Sequence, residues 1–175
     1  MRGPRWSSRG ALAVAGALRS AGGRGARSAR SPLAPPPADP ASSRSLIVAT
    51  IVLHDIGKLR ELQFAPTGAT YTVAGRLVGH IVIGRDLIRA AAAAIPDFPE
   101  ETLLLLEHAI LAHHGRREFG SPIEPHTLEA LIVSFLDELD AKVNSVAIEL
   151  LKPAPLGQVW TDRIRSLDGR QFYRG

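Results

Sequence analysis

The string LHDIGKLREL at residues 53–62 concentrates the chemistry of this chain in His54, Asp55, Gly57 and Lys58. A neutral imidazole nitrogen beside a carboxylate oxygen that can bridge two cations suits borderline and hard divalent metals together. Gly57 is expected to stop the helix that carries the doublet. Lys58, four residues past His54, would put an ammonium near an anion held at the metal. A capped helix end with a buried histidine is the alternative that these residues leave open on their own.

Other donors follow along the chain. His80 opens a second helical segment, His108, His113 and His114 belong to a third, and Asp137 and Asp140 to a fourth. Facing helices of a bundle can converge such side chains on one point. Asp137 has Ala130, Val133 and Ala141 at i−7, i−4 and i+4, so its carboxylate is expected along an apolar stripe, where a cation would be its natural neighbour. Each histidine also has a plainer reading. His80 could simply start a helix, His113 and His114 could favour a helix C-terminus, and His126 is expected at the surface. His108 is expected to be buried or to back a ligand, and Asp140 to be a backing group, a surface acid or a ligand.

The elements that must position these residues are helical. Residues 45–58, SLIVATIVLHDIGK, predict a buried helix ending at Gly57, and residues 63–76 predict a loop with a short extended piece near Tyr71–Val73. A second helix is expected from about Leu77–His80 to Pro96. A third should run from Pro99 to Gly115, its early Glu100 and Glu101 suiting the positive helix start. The fourth should run from about His126 to Leu151, with Glu138 and Lys142 as an exposed i, i+4 pair. Residues 159–175 predict an irregular tail with a turn at Asp168–Gly169.

Composition narrows the chemistry. The 175 residues include no cysteine, so a metal must be held by His, Asp and Glu, which favours Mn, Fe, Co, Mg or catalytic Zn over structural zinc. Residues 1–45 hold eight Arg against Asp39, leaving thirteen Lys or Arg against sixteen acids in residues 46–175. That mildly acidic part offers no broad cationic surface for duplex nucleic acid. Residues 1–45, rich in Arg, Gly, Ala, Ser and Pro, are expected to be a disordered or mis-assigned tail. An organelle transit peptide and, through ALAVAGAL, a secretory core fit less well. No run approaches the ~18 apolar residues of a membrane span, so a soluble, cytoplasmic protein is expected.

The run HDIGK, then GH, HHG and the aspartate of FLDELDAK resembles the HD superfamily of metal-dependent phosphohydrolases. TYTVAGRLVGHIVIG, LEHAILAHHGRREFGSPIEPHTLEALIVSFLDELDAKVN and WTDRIRSLDGRQFY are similar to the HD domain of YhaM-type 3′-to-5′ exoribonucleases. The resemblance covers residues 46–175 and implies an all-α HD-domain helical bundle holding one or two divalent ions and hydrolysing phosphodiester bonds. It implies His54, Asp55 and Asp137 as core ligands, with Asp55 as the bridge, and His80, His113 and His114 around a second ion. Lys58 matches the lysine placed toward substrate phosphate. Single-stranded RNA or a nucleotide is the implied substrate. Arg116 and Arg117 are placed to grip a flanking phosphate, with a solvated pair as the equal alternative, and an oligomer is left open.

Two departures accompany the resemblance. The superfamily pattern opens with a histidine upstream of the doublet, and no histidine precedes His54. The OB-fold module usual in YhaM-type proteins has no counterpart in the sequence. The expectation is a truncated or frame-shifted product whose first helix and its histidine are missing. A catalytically impaired module that binds nucleotide or a partner, and a small-nucleotide phosphohydrolase, are the alternatives.

Overall fold

The computed structural model describes residues 40–175 except residue 67, with side chains from residue 44 onward. The expected disordered tail therefore lies mostly outside the described residues. Its last part, however, is helical: α1 spans Pro40–Leu53 and begins five residues before Ser45, with a proline in the first turn, where a missing N–H costs nothing. Leu46, Ala49, Thr50 and Leu53 are its buried residues, an i, i+3, i+4, i+7 face.

The chain then turns through residues 54–57 into a single helical turn, α2 (Lys58–Glu61). Helix α1 ends at Leu53 and not at the expected Gly57, and Gly57 itself is not a left-handed helix cap. Its φ is −63° and its ψ −24°, ordinary helical values. What the position requires is the absence of a side chain, since a Cβ there would lie 1.9 Å from the carbonyl oxygen of His80 and 2.7 Å from the nitrogen of Gly84. Gly57 thus lets the His54–Asp55 turn press against the helix that begins with His80.

The expected loop at residues 63–76 is instead a hairpin and a short helix. Strands β1 (Leu62–Ala65) and β2 (Gly68–Tyr71) pair antiparallel, with Leu62 opposite Tyr71 and Ala65 opposite Gly68. Seven of their eight residues are exposed, and the alternations Leu62-Gln63-Phe64 and Ala69-Thr70-Tyr71 are too short to announce a hairpin, although Tyr71 of the expected extended piece does lie in β2. Helix α3 (Val73–Val78) starts at Thr72, whose hydroxyl accepts the Gly75 N–H at 2.9 Å. Gly75 rests against the Glu61 carbonyl, which a Cβ would approach to 2.2 Å.

Helix α4 (His80–Ala92) and helix α5 (Glu100–Leu111) pack on α1 around Leu46, Ala49, Leu53, Ile88, Ala92, Leu106 and Ile110. Arg89 and Glu107 join α4 to α5 through a two-pronged ion pair, Nη2 to Oε2 at 2.6 Å. Helix α6 (Leu128–Leu151) is capped at Thr127 and buries Ala130, Val133 and Ser134. Asp137 continues that i, i+3, i+4, i+7 face toward the site, while Ala141, expected on the same stripe, is exposed. Lys142 and Glu138 pair on the wet side as expected, at 2.5 Å.

The C-terminal residues are more ordered than an irregular tail. Trp160 faces Tyr173 and Ile164 faces Arg170 in isolated antiparallel bridges, closed by the expected turn at Asp168 (φ 55°) and Gly169 (φ 72°). The Arg174 guanidinium ties this hairpin to the end of α6, donating to the carbonyls of Glu149, Leu150 and Lys152 at 3.1, 3.0 and 2.9 Å. Those carbonyls belong to the C-terminal end of the helix and its cap, where a cation is favourable. Among the described residues no helix is long and apolar enough to cross a membrane. The chain is an all-α helical bundle with one small hairpin added.

Candidate metal centre

Four histidines, His54, His80, His113 and His114, sit on turns just past helix ends or at a helix start. His54 and Asp55 follow α1, His113 and His114 follow α5 in the turn before Gly115, and His80 opens α4. His113 and His114 lie beyond α5, the expected third helix, which ends at Leu111, and not within it. Their position one turn beyond its last residue lets adjacent imidazoles address the same point, their ring centroids 4.4 Å apart.

One pattern unites the four imidazoles. Nδ1 of His54 faces the Ile51 carbonyl at 2.8 Å, Nδ1 of His113 the Ile110 carbonyl at 2.6 Å, and Nδ1 of His114 the Phe119 carbonyl at 2.9 Å. Nδ1 of His80 faces the Glu61 carboxylate at 3.1 Å. These oxygens accept, so each Nδ1 carries a proton and each Nε2 is the atom turned inward, presenting a lone pair whenever its ring is neutral. The Nε2 atoms turn toward one another's neighbourhood. His80, His113 and His114 each offer an atom within 4.8 Å of the others. His54 Nε2 lies 3.4 Å from Asp55 Oδ2 and 3.6 Å from Asp137 Oδ1, and His80 Nε2 lies 3.5 Å from Asp55 Oδ1.

Three of these inward atoms, His80 Nε2, His113 Nε2 and Asp55 Oδ1, are buried without a hydrogen-bond partner. Such groups are costly unless something electropositive joins them. Imidazole nitrogens and carboxylate oxygens gathered around one point, their outer nitrogens held by carbonyls and a carboxylate, fit a divalent cation of the Mn, Fe, Co or Zn kind. Among the described residues the burial is graded: the His113 residue is 1% exposed, whereas the Asp55 and Asp137 side chains are 36% and 31% exposed. The carboxylates therefore form the open side.

The electrostatics agree with this gradient. Burial pushes the His113 imidazole down to about 4, so the ring is neutral and its lone pair free at pH 7. His54 moves up, because the Asp55 carboxylate bonds its ring and outweighs burial. Burial alone would raise Asp55, but His54 and Lys58 overcome it and hold the carboxyl well below the usual carboxylate range. Lys58 Nζ donates to Asp55 Oδ2 at 2.6 Å, placing its ammonium at the mouth as the sequence suggested.

The structure thus brings together His54, Asp55, Lys58, His80, His113, His114 and Asp137. It does not bring in the rest. His108 turns away and accepts the backbone N–H of His126 at 2.9 Å, the two rings stacked at 6.0 Å; it secures the approach to α6 instead of backing a ligand. Asp140 is exposed on α6. Arg116 and Arg117 are exposed beyond the HHG turn, Arg116 lying over the Phe119 ring at 5.9 Å.

Sequence reasoning missed Glu61. It is buried, and its Oε1 accepts both the backbone N–H of His80 at 2.9 Å and the ring Nδ1. Its sequence signal is weak: Gly57 and Ala65 occupy i−4 and i+4, and the one cation at helical spacing, Lys58 at i−3, is taken by Asp55.

A model of the HD domain family matches residues 12–142. This chain belongs to the HD domain family. Its curated relatives include proteins named 3′-5′ exoribonuclease YhaM: that of Bacillus licheniformis is 43% identical over 137 residues, and those of Bacillus subtilis and a Geobacillus strain are 41% and 42% identical. Each match covers 77% of this chain but 40 to 42% of the relative, so the chain spans about two fifths of their length. No solved structure matches it.

Proposed function

We propose that this HD domain hydrolyses phosphodiester bonds with a divalent cation, acting on single-stranded RNA from the 3′ end. The observation that carries the reading is the convergence of unpartnered His80 Nε2, His113 Nε2 and Asp55 Oδ1 beside the His54–Asp55–Asp137 group. In this reading residues 46–175 form the working domain, and the names of the relatives supply the polymer and direction.

His54, Asp55 and Asp137 would hold one ion and His80, His113 and His114 a second, with Asp55 lying beside both groups. A bound cation supplies Lewis acidity, which lowers the pKa of water and offsets phosphoryl charge. The protein's own groups do the placing. Asp55, kept ionised by His54 and Lys58, retains a negative oxygen at the mouth at any ordinary pH. Lys58, half exposed there, can leave Asp55 for a non-bridging phosphate oxygen as charge builds. Glu61 fixes the His80 ring, and Ile110 and Ile51 carbonyls fix the rings of His113 and His54. Exposed Arg116 and Arg117 can meet a flanking phosphate.

The test is a 5′-labelled single-stranded RNA incubated with the chain and Mn, Co, Mg or Zn, alongside a 3′-phosphorylated copy and a panel of mononucleotides and cyclic nucleotides. A ladder shortening from the 3′ end, abolished by chelator, is expected. Hydrolysis of mononucleotides alone would replace RNA by a small substrate, and stoichiometric metal without any hydrolysis would leave a binding module.

A further inference from the structure

The acidic bundle carries one concentrated basic and aromatic feature, and it lies away from the metal cluster. Residues 159–175 contain Arg163, Arg165, Arg170 and Arg174 against Asp162 and Asp168, with Trp160, Phe172 and Tyr173 among them. Trp160 and Tyr173 face each other across the antiparallel bridge, rings T-shaped at 5.7 Å, yet they are 50% and 62% exposed. They are not core: Thr161, Ile164 and Leu167 are the residues this hairpin buries.

The hairpin is built to present these rings. Thr161 donates its N–H to the Phe172 carbonyl and its hydroxyl accepts the Phe172 N–H, both at 2.9 Å, while Arg174 pins the base to α6. Arg163, Arg165 and Arg170 are exposed, and among the described residues none of them is in an ion pair. Arg163 has one long contact to Gly169 O at 3.5 Å, and Arg170 spends only Nε, on Leu167 O at 3.0 Å. Rigid exposed π-faces interleaved with uncommitted guanidinium groups match a strand whose bases are unstacked and whose phosphates are accessible.

We propose that this C-terminal hairpin is a stacking platform for single-stranded nucleic acid, bases resting on Trp160 and Tyr173 and phosphates meeting Arg163, Arg165 and Arg170. The proposal deepens the RNA reading of the metal site and rests on it for the identity of the strand. From Asp137 to Glu149 α6 rises about 18 Å at about 1.5 Å per residue. A strand reaching from platform to metal site therefore needs at least about five nucleotides at about 3.4 Å each. Short substrates would lose the platform and longer ones gain it.

Binding of fluorescein-labelled oligouridylate to the full chain, measured by anisotropy with chelator present, tests this without hydrolysis. Trp160→Ala and Tyr173→Ala should each weaken binding roughly tenfold, Trp160→Phe should retain most of it, and the duplex form should bind less well than the single strand. Arg163→Gln with Arg165→Gln, both on the surface, should lower the slope of log K against log salt by about 1.4, at about 0.7 per phosphate contact. An oligothymidylate arm separates RNA from DNA as the strand, either supporting the platform. Unchanged affinity and salt slope in the arginine pair, or equal binding of duplex and single strand, would overturn it. Binding that follows these variants in a chain hydrolysing nothing would keep the platform and remove the nuclease reading.

Discussion

His80 Nε2 and Asp55 Oδ1 face each other at 3.5 Å, both buried and neither in a hydrogen bond. His80 turns its Nδ1 to Glu61, leaving Nε2 toward the site, and Asp55 is held ionised. Two lone pairs pointed across such a gap are unfavourable in a low-dielectric setting unless a cation lies between them. The same holds for His113 Nε2, whose ring stays neutral because burial disfavours its charged form. The fold has thus assembled an electron-rich point whose stability depends on what fills it.

Metal should consequently stabilise the chain. Excess Mn or Co at about a hundred times its dissociation constant is expected to add about 2.7 kcal/mol to the free energy of unfolding. Differential scanning calorimetry of the metal-stripped chain, titrated and then returned to chelator, reads this as a reversible rise in Tm. A Tm indifferent to every divalent ion would remove the metal assignment.

Asp55→Asn keeps the shape of the side chain and removes its charge. A neutral amide is a poorer ligand for a divalent cation than a carboxylate, and it removes the charge that holds Lys58 at 2.6 Å. Hydrolysis of the labelled RNA is expected to fall at least about a hundredfold, the scale of losing one charge-stabilising group at a reacting centre. Near-normal rates in a metal-titrated assay would show that the chemistry lies elsewhere.

Glu61→Leu tests a residue that touches no substrate. Without the carboxylate, the His80 ring loses the partner that fixes its tautomer and orientation, a contribution typically of about 10-fold to 100-fold in metal affinity. Calorimetric titration should show that loss, with Glu61→Gln intermediate because its amide oxygen can still accept from Nδ1. Equal affinities in all three chains would make Glu61 merely structural.

How far the site could be read from the sequence follows from what each residue answers to. His54, Asp55, His80, His113, His114 and Asp137 belong to motifs of fixed local spacing, and the periodicity of α1, α5 and α6 was enough to bring their elements together. Glu61 was invisible because its partner is nineteen residues away, across a hairpin whose strands are four residues long and almost wholly exposed. Gly57 was misread because sequence shows that a glycine is present, not whether φ or the missing Cβ is the need; the 1.9 Å approach of His80 O decides it. His108 lay beside the motif in sequence, but helical rotation points it at His126.

Gly57→Ala should accordingly cost more than helix propensity would suggest. Propensity favours alanine by about 1 kcal/mol at an unconstrained helical position. Here the added methyl must displace backbone of α4, an overpacking effect of about 1–3 kcal/mol or more. Urea unfolding should place the variant below the parent by a net loss in that range, and a gain in stability would contradict the contact.

The His108–His126 contact gives a pH dependence separate from the metal cluster. His108 Nε2 accepts the His126 backbone N–H, so that nitrogen must be unprotonated in the folded chain, and burial together with the neighbouring His126 lowers the pKa below the ordinary 6.5. A folded pKa below the unfolded one means that the unfolded chain binds the extra proton first. The stabilisation is therefore fully present above about pH 6.5 and drains away as pH falls through the folded value. His108→Gln, whose amide oxygen can accept the same N–H, should retain the bond and lose the titration. His108→Leu should be destabilised by about 1 kcal/mol at neutral pH, the scale of one such bond. Urea denaturation of the metal-free chains between pH 7.5 and pH 5, a window set about the imidazole range, should show the parent losing stability faster than His108→Gln as acid is added; parallel curves would mean that the bond is not made.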